Sequence, residues 1–231
     1  VVDIASLQGA IQDGRLESLP RMGKKTIQNI TESIAFLATS ANRLRIGVAM
    51  PIAETLVSQL QQCDGVSNIS FAGSLRRGKE TIGDIDILAS TSEPAVLIDA
   101  FCDDTKVEKI LARGDTKCSV RIQAGMQIDL RIVDQNAFGA ALLYFTGSKE
   151  HNIILRERAI AKGKKLNEYG LFDASSDSLL ACSTEDEVYA ALETSWIPPE
   201  LREDRGELGC TATPALITSK EIKCDLHCHT T

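Results

Sequence analysis

The sequence lacks what marks a membrane-embedded, secreted or disulfide-stapled protein. Its longest nearly apolar run, Ala137 to Phe145, falls far short of the about 20 residues a spanning helix needs. No basic, then apolar, then small-residue leader opens the chain, so no secretory signal is expected. The seven Cys are odd in number, scattered and free of any CxxC pair, which predicts unpaired thiols in a reducing, cytoplasmic setting rather than a disulfide framework. Internal repeats and low-complexity tracts are absent. A start methionine is missing, and the last residues stop inside a motif, so the expectation is a piece of a longer protein.

What is present is a globular composition. Apolar residues make up 43% and charged residues 25% of 231 positions, which excludes whole-chain disorder and suffices for one large domain or two small ones. The net charge of −7 argues at first against a nucleic-acid partner. Its distribution changes that. Residues 171–219 hold ten acids and two Arg, so the rest of the chain sums to +1. Tyr144 to Gly170 carries six bases against three acids, and residues 1–45 carry six against four. Local basic surface, not the total, governs affinity for phosphates. Composition alone reads such bases as solvated helix faces, so motifs must decide.

Residues 1–45 read as helical. Leu16, Leu19 and Met22 flank a turn with Pro20 and Gly23, and Ile27, Ile30 and Ile34 follow at helical spacing. This is the pattern of a helix-hairpin-helix, equally that of a plain helical hairpin. A hairpin of the first kind offers backbone N–H groups at Gly23 to Thr26 to a phosphate, with Lys24 and Lys25 adding charge. Ile52 to Leu60 continues as an amphipathic helix. Strands are expected at Val66 to Ala72, Asp84 to Ala89, Val120 to Gln123 and Gln127 to Val133, and helices at Val96 to Cys102, Phe138 to Tyr144 and His151 to Lys162. Thr184-Glu185-Asp186-Glu187 reads as a capping box for a helix over Val188 to Leu192, and Gly209 to Ser219 as a linker.

The stretch Gly73-Ser74-Leu75-Arg76-Arg77-Gly78 followed by Gly83-Asp84-Ile85-Asp86 carries the chemistry. Gly73 lets a phosphate approach the backbone, and Ser74 adds a hydroxyl donor. Arg76 or Arg77 can neutralise phosphate charge. Asp84 and Asp86, two apart on a strand, share its polar face, opposite Ile85, Ile87 and Ala89. Asp129 takes the same place between Ile128 and Leu130. If the two strands are neighbours, three carboxylates converge, and divalent cations are their natural partners. Such a site suits two-metal phosphoryl transfer. A surface strand with exposed acids is the structural alternative.

These residues carry a resemblance. Gly73-Ser74, Asp84-x-Asp86 and Asp129 are similar to the nucleotidyltransferase superfamily. With Leu19-Pro20-x-x-Gly23-x-Lys25-Thr26, Gly73-Ser74-Leu75-Arg76-Arg77, Ile128-Asp129-Leu130-Arg131, Tyr144-Phe145-Thr146-Gly147-Ser148 and Leu166-Asn167-Glu168-Tyr169-Gly170, the chain resembles the family X, polymerase beta-like DNA polymerases over about residues 3–208. Cys224-Asp225-Leu226-His227-Cys228-His229 resembles the first motif of a PHP phosphoesterase domain, which bacterial and archaeal members join behind the polymerase core. The resemblance implies an α+β fold: helix-hairpin-helix fingers (1–45), a mixed-sheet palm with helices on one face (46–135), a small α/β thumb (136–208), a linker (209–223) and the start of a PHP domain (224–231). It implies that Asp84 and Asp86 bind both of two Mg2+ ions, with Mn2+ as a substitute, and that Asp129 completes the catalytic one. Gly73, Ser74 and Arg77 would meet the incoming triphosphate beside Gly83. Arg131 would orient a carboxylate or the primer end. Tyr144 and Phe145, with Gly147, would check the sugar, although taken alone Phe145 fits a core ring equally well. Asn152 and Arg156, one helical turn apart, would face the minor-groove side of the nascent base pair.

Three departures qualify the resemblance. Arg21 replaces the hairpin's usual first Gly, at a cost of roughly 1 kcal/mol if the backbone there is left-handed. Asp225, His227 and His229 lack downstream ligands, because the chain holds only three His. The family's N-terminal lyase-like domain is also expected to be missing. The expected function is DNA-directed DNA polymerisation from dNTPs on a primer-template or gapped DNA in repair, by a monomer of the cytoplasm with no membrane partner. The alternatives are a nucleotidyltransferase acting on RNA or a small molecule, and a non-catalytic DNA-binding scaffold of a phosphoesterase.

Overall fold

The computed structural model describes residues 3–16, 19, 22–39, 43–210, 214–218 and 220–224. Helix α1 (Ile4–Gln12) is capped by Asp3, whose carboxylate accepts from the Ser6 N–H. Helix α2 (Lys24–Thr39) follows, and Ala10, Leu16 and Ile34 are buried in this helical pair. Gly23 to Thr26 lie exposed at the start of α2. Pro20 and Arg21 of the expected hairpin, and Asp225, His227 and His229 of the terminal motif, lie outside the described residues.

Strand β1 (Leu44–Arg45) leads into helix α3 (Ile46–Leu60). The sequence placed this helix after Pro51, which lacks an N–H. It begins earlier, with Ile46 N–H bonded to Glu80 C=O, because Ala49 and Ala53 on either side of Pro51 both bury completely. Burial of that face outweighs one missing helical hydrogen bond. Then come β2 (Val66–Phe71), the single turn α4 (Gly73–Arg76), β3 (Thr81–Ile82), β4 (Asp84–Thr91), α5 (Pro94–Cys102), β5 (Val107–Arg113), β6 (Lys117–Ile122) and β7 (Gln127–Ile132). Five of them form one mixed sheet in the order β2-β4-β7-β6-β5, and β1 pairs with β3. Only the β4–β7 pair is parallel. The sheet's apolar face carries Ile85, Ile87, Ala89, Val120, Ile128 and Leu130, and packs with Leu56 and Leu60 of α3 and Leu97 and Phe101 of α5. Burying each such side chain is worth about 1.5–3 kcal/mol. Edge strand β5, Val-Glu-Lys-Ile-Leu-Ala-Arg, is mostly exposed and lacks alternation, which explains why the sequence did not reveal it.

Beyond the sheet lie α6 (Phe138–Thr146), α7 (Lys149–Ala161), the antiparallel strands β8 (Lys164–Asn167), β9 (Gly170–Asp173) and β10 (Leu179–Ala181), and α8 (Glu185–Ala191). Leu143, Leu155, Leu171, Val188, Tyr189 and Leu192 build a second hydrophobic core. Helix α6 runs close against the chain before α8. A Cβ at Gly139 would overlap the Thr184 backbone, and the Gly139 and Ala140 N–H groups bond to Ser183 and Cys182 carbonyls. The expected capping box at α8 is shifted. Thr184 accepts from Glu187 N–H, but the Glu187 carboxylate reaches back to Ser183 N–H instead of Thr184. Among the described residues no helix is long and apolar enough to cross a membrane, and the described cysteines form no disulfide.

Candidate active site

The site begins with strand register. In the parallel β4–β7 pair Asp86 lies opposite Asp129, and Asp84 lies opposite Gln127. In the antiparallel β6–β7 pair Ser119 lies opposite Asp129, and Lys117 opposite Arg131. Partners in register share a face, so Asp84, Asp86, Asp129, Arg131, Lys117 and Ser119 all stand on the side away from the main core. The carboxylates differ sharply in surroundings. Burial, then the charges of Asp84 and Asp129, push the Asp86 carboxyl up to about 6, with Arg131 and Lys117 only partly offsetting them. Burial acts on Asp129 as well, which is 7% exposed. There it is outweighed by hydrogen bonds from Gln127, Ser119 and Lys117, which hold its carboxyl below the ordinary range. Gln127 Nε2 donates to Asp129 Oδ1 at 2.8 Å, and Lys117 Nζ stands 3.1 Å from Oδ2.

This donor set suits a hard divalent ion: oxygen ligands only, in like-charged excess on one sheet face. Among the described residues, no three acidic, His or Cys side chains already stand in metal-holding geometry. Asp129 directs its oxygens to Lys117 and Gln127, and the repulsion that raises Asp86 is what a cation would relieve.

The chain between β2 and β4 supplies the second part. Ala72 N–H bonds to Asp86 C=O, and the backbone then turns through Gly73 at φ +60° into α4. A Cβ at Gly73 would collide with Asp86 Oδ2, so both backbone shape and space require glycine here. Gly73, Ser74, Arg77, Asp84, Asp86, Tyr144, Phe145, Gly147, Asn152 and Arg156 line one open cleft of about 540 Å³, together with Arg43, Thr146 and Lys149. The Tyr144 and Phe145 rings meet edge to face, 5.1 Å between centroids. Asn152 Nδ2 donates to Tyr144 C=O at 2.7 Å, and Arg156 Nε to Asn152 C=O at 3.2 Å. The helix bearing them is fixed from below: Ser148 caps it, and buried His151 is held between the Glu207 carboxylate (2.6 Å) and the Tyr189 hydroxyl (2.8 Å).

The two arginines of the Gly-Ser segment part company. Arg76 donates two hydrogen bonds to Glu185, at 2.7 and 2.9 Å, and one to Thr146 Oγ1 at 2.7 Å. Arg202, fully buried, grips the same carboxylate at 2.7 and 3.0 Å, and Trp196 Nε1 donates a further bond at 3.1 Å. Arg76 is therefore a tie between α4 and the second core, not a free phosphate ligand. Arg77 lines the cleft, but its guanidinium also bonds Glu203 at 2.8 Å and Thr146 C=O at 2.5 Å. Three expected residues fall outside the cleft lining: Asp129, covered by Gln127 and Lys117, and Gly83 and Arg131. Gly83 backs onto Arg43, whose guanidinium a Cβ there would crowd at 2.9 Å. Arg131 lies over the Phe145 ring, 4.6 Å from its centroid, with its Nε buried and unpartnered.

Sequence reasoning missed Arg43, Lys117 and Ser119. The signal for the last two was the alternation Lys117-Cys118-Ser119-Val120-Arg121-Ile122, which carries β6 three residues before the expected start at Val120. Arg43 left no signal, because its contact with Thr81 spans 38 positions.

A mixed-sheet fold with Gly73-Ser74 at the mouth of a carboxylate-bearing strand pair defines a nucleotidyltransferase-type architecture. Comparison with known proteins narrows this. The family model "DNA polymerase beta thumb" matches residues 141–203. The chain is 33% identical over 234 residues to the DNA polymerase/3'-5' exonuclease PolX of Bacillus subtilis, covering all of this chain and 41% of that protein. It is 31% identical over 146 residues to a repair DNA polymerase X of African swine fever virus, covering 58% of this chain and 81% of that one. The fold matches Leishmania infantum polymerase beta in a ternary gap complex with a TM-score of 0.69 at 20% identity, over 85% of this chain and 80% of that one. The chain belongs to the family X DNA polymerases.

Proposed function

We propose that this chain is a nucleotidyl-transferring polymerase core that adds a deoxynucleotide to a primer 3′-hydroxyl on primer-template or gapped DNA in repair, releasing pyrophosphate. The observation that carries the reading is the register match of Asp86 with Asp129, with Asp84, Asp86 and the Gly73-Ser74 turn lining a cleft bordered by Arg43, Arg77 and Lys149. The names of the viral relative and of the Leishmania gap complex point the same way. Asp84, Asp86 and Asp129 would hold two Mg2+, or Mn2+ in their place, which when bound lower the pKa of the attacking hydroxyl and offset charge on the leaving group. The chain's own residues do the rest. Ser74 and the α4 backbone orient the triphosphate. Arg77 has a guanidinium edge to share with it once Glu203 loosens. Tyr144 and Phe145 wall the sugar, and Asn152 and Arg156 line the cleft from α7. We assign 1–45 to fingers, 46–135 to palm and 136–208 to thumb. The basic Gly23 to Thr26 turn is suited to the DNA backbone.

Primer extension with the purified chain tests this. A labelled primer on gapped and open templates should lengthen with dNTPs and Mg2+, stop with EDTA and resume on restoring Mg2+. Extension equally efficient on an RNA primer with rNTPs would move the chain to another nucleotidyltransferase class.

A further inference from the structure

Asp129 is the one carboxylate of the face whose two oxygens are both taken by the protein: Oδ1 by Gln127 and Oδ2 by Lys117. For Asp86, burial and then the charges of Asp84 and Asp129 act against its ionised form, and no hydrogen bond offsets them. Lys117 comes from the adjacent strand β6, two positions from the Ser119–Asp129 pair and on the same face. Its side chain is 43% exposed at the sheet surface, while that of Asp129 is 10% exposed. An ammonium at this distance supplies one positive charge where a divalent ion would supply two. A long, half-exposed Lys leaves such a position cheaply, because water receives its charge. Asp129, whose Oδ2 it covers, lies in register with Asp86 on the neighbouring strand.

We propose that Lys117 is a built-in counter-cation of the catalytic face. It caps Asp129 while no divalent ion is present, and it must release Oδ2 before Asp129 can become a ligand. Divalent affinity is thereby lowered, and Asp129 would become available as a ligand only once the Lys117 ammonium has moved away from Oδ2. This rests on the metal-site reading above, and the test separates the two.

The probe is Mn2+ alone, titrated into the full chain without DNA or nucleotide and followed by electron paramagnetic resonance. The proteins are wild type, Lys117→Met, Lys117→Arg and Asp86→Asn, each checked for folding by circular dichroism. The wild type should bind Mn2+ in a manner that Asp86→Asn weakens. Lys117→Met should bind about fivefold more tightly, the equivalent of one ion pair at the stronger end of those exposed to solvent. Lys117→Arg, which keeps the charge, should stay near wild type. A purely structural Lys would not move metal affinity upward. Asp86-dependent binding with Lys117→Met no tighter than wild type overturns the role of Lys117 and leaves the metal site standing. Absence of any Asp86-dependent binding, in wild type and in Lys117→Met alike, overturns both.

Discussion

Among the described residues, Glu185 and the acids of the sheet face stand in opposite surroundings. Glu185, 6% exposed, receives hydrogen bonds from Arg76, Arg202 and Trp196, all from within the chain. Burial opposes its charge, yet the two arginines win and draw its carboxyl down to about 2. Asp84, Asp86 and Asp129 share one sheet face with a surplus of negative charge; Gln127 and Lys117 cover Asp129, while Asp86 is left to rise to about 6. Where the chain completes a carboxylate itself, the acid serves the fold: Glu185 joins the Gly-Ser segment to the second hydrophobic core. Where the chain leaves the charge unbalanced, it holds a place for something bound.

The comparison is sharpened most by removing acids of the sheet face. Asp129→Ala or Asp86→Asn should lower nucleotide incorporation by about a thousandfold or more, because each loses several kcal/mol of charge stabilisation. DNA binding, read by fluorescence anisotropy, should change little. Breaking the balanced acid should act on stability instead. Glu185→Ala leaves buried Arg202 and half-buried Arg76 short of their counter-charge and should cost about 3–5 kcal/mol, measured by urea unfolding. A pH series tests the same acid more gently. Its folded pKa lies below the unfolded value of 4.5, so its contribution is full above pH 4.5 and is lost as pH falls toward 2. That loss is on the order of 3 kcal/mol and should vanish from the profile of Glu185→Gln. The smallest effect belongs to the cleft wall. Tyr144→Ala should raise ribonucleotide use relative to deoxyribonucleotide use by about tenfold. An unchanged ratio in a folded variant would make Tyr144 a packing residue.

The carboxylate face was legible because strand periodicity is local: Ile85, Ile87 and Ile128, Leu130 alternate with Asp84, Asp86 and Asp129 within single short runs. That β4 and β7 are neighbours was not readable from alternation, since sheet order is set by pairing between segments about 40 positions apart. It came only with the family resemblance. The Glu185 tie was hidden for the same reason. Glu185 reads locally as the first residue of a capped helix, and nothing near it announces Arg76, 109 positions earlier. The equivalence of Arg76 and Arg77 in the sequence dissolves once Glu185 and Glu203 are placed. The short strands β8, β9 and β10, three to four residues each, offer too few positions for any period to register.

The most direct test sets Asp86→Asn beside Glu185→Gln and measures urea unfolding and single-nucleotide incorporation on the same preparations. Removing one like-charge contact should leave Asp86→Asn as stable as wild type or more stable by about 1 kcal/mol, with incorporation lost. Glu185→Gln should unfold at markedly lower urea, yet incorporate nucleotide under conditions where it remains folded. An Asp86→Asn protein that still incorporates nucleotide, or a Glu185→Gln protein as stable as wild type, would contradict the division between a charge kept for the fold and a charge kept for a bound cation.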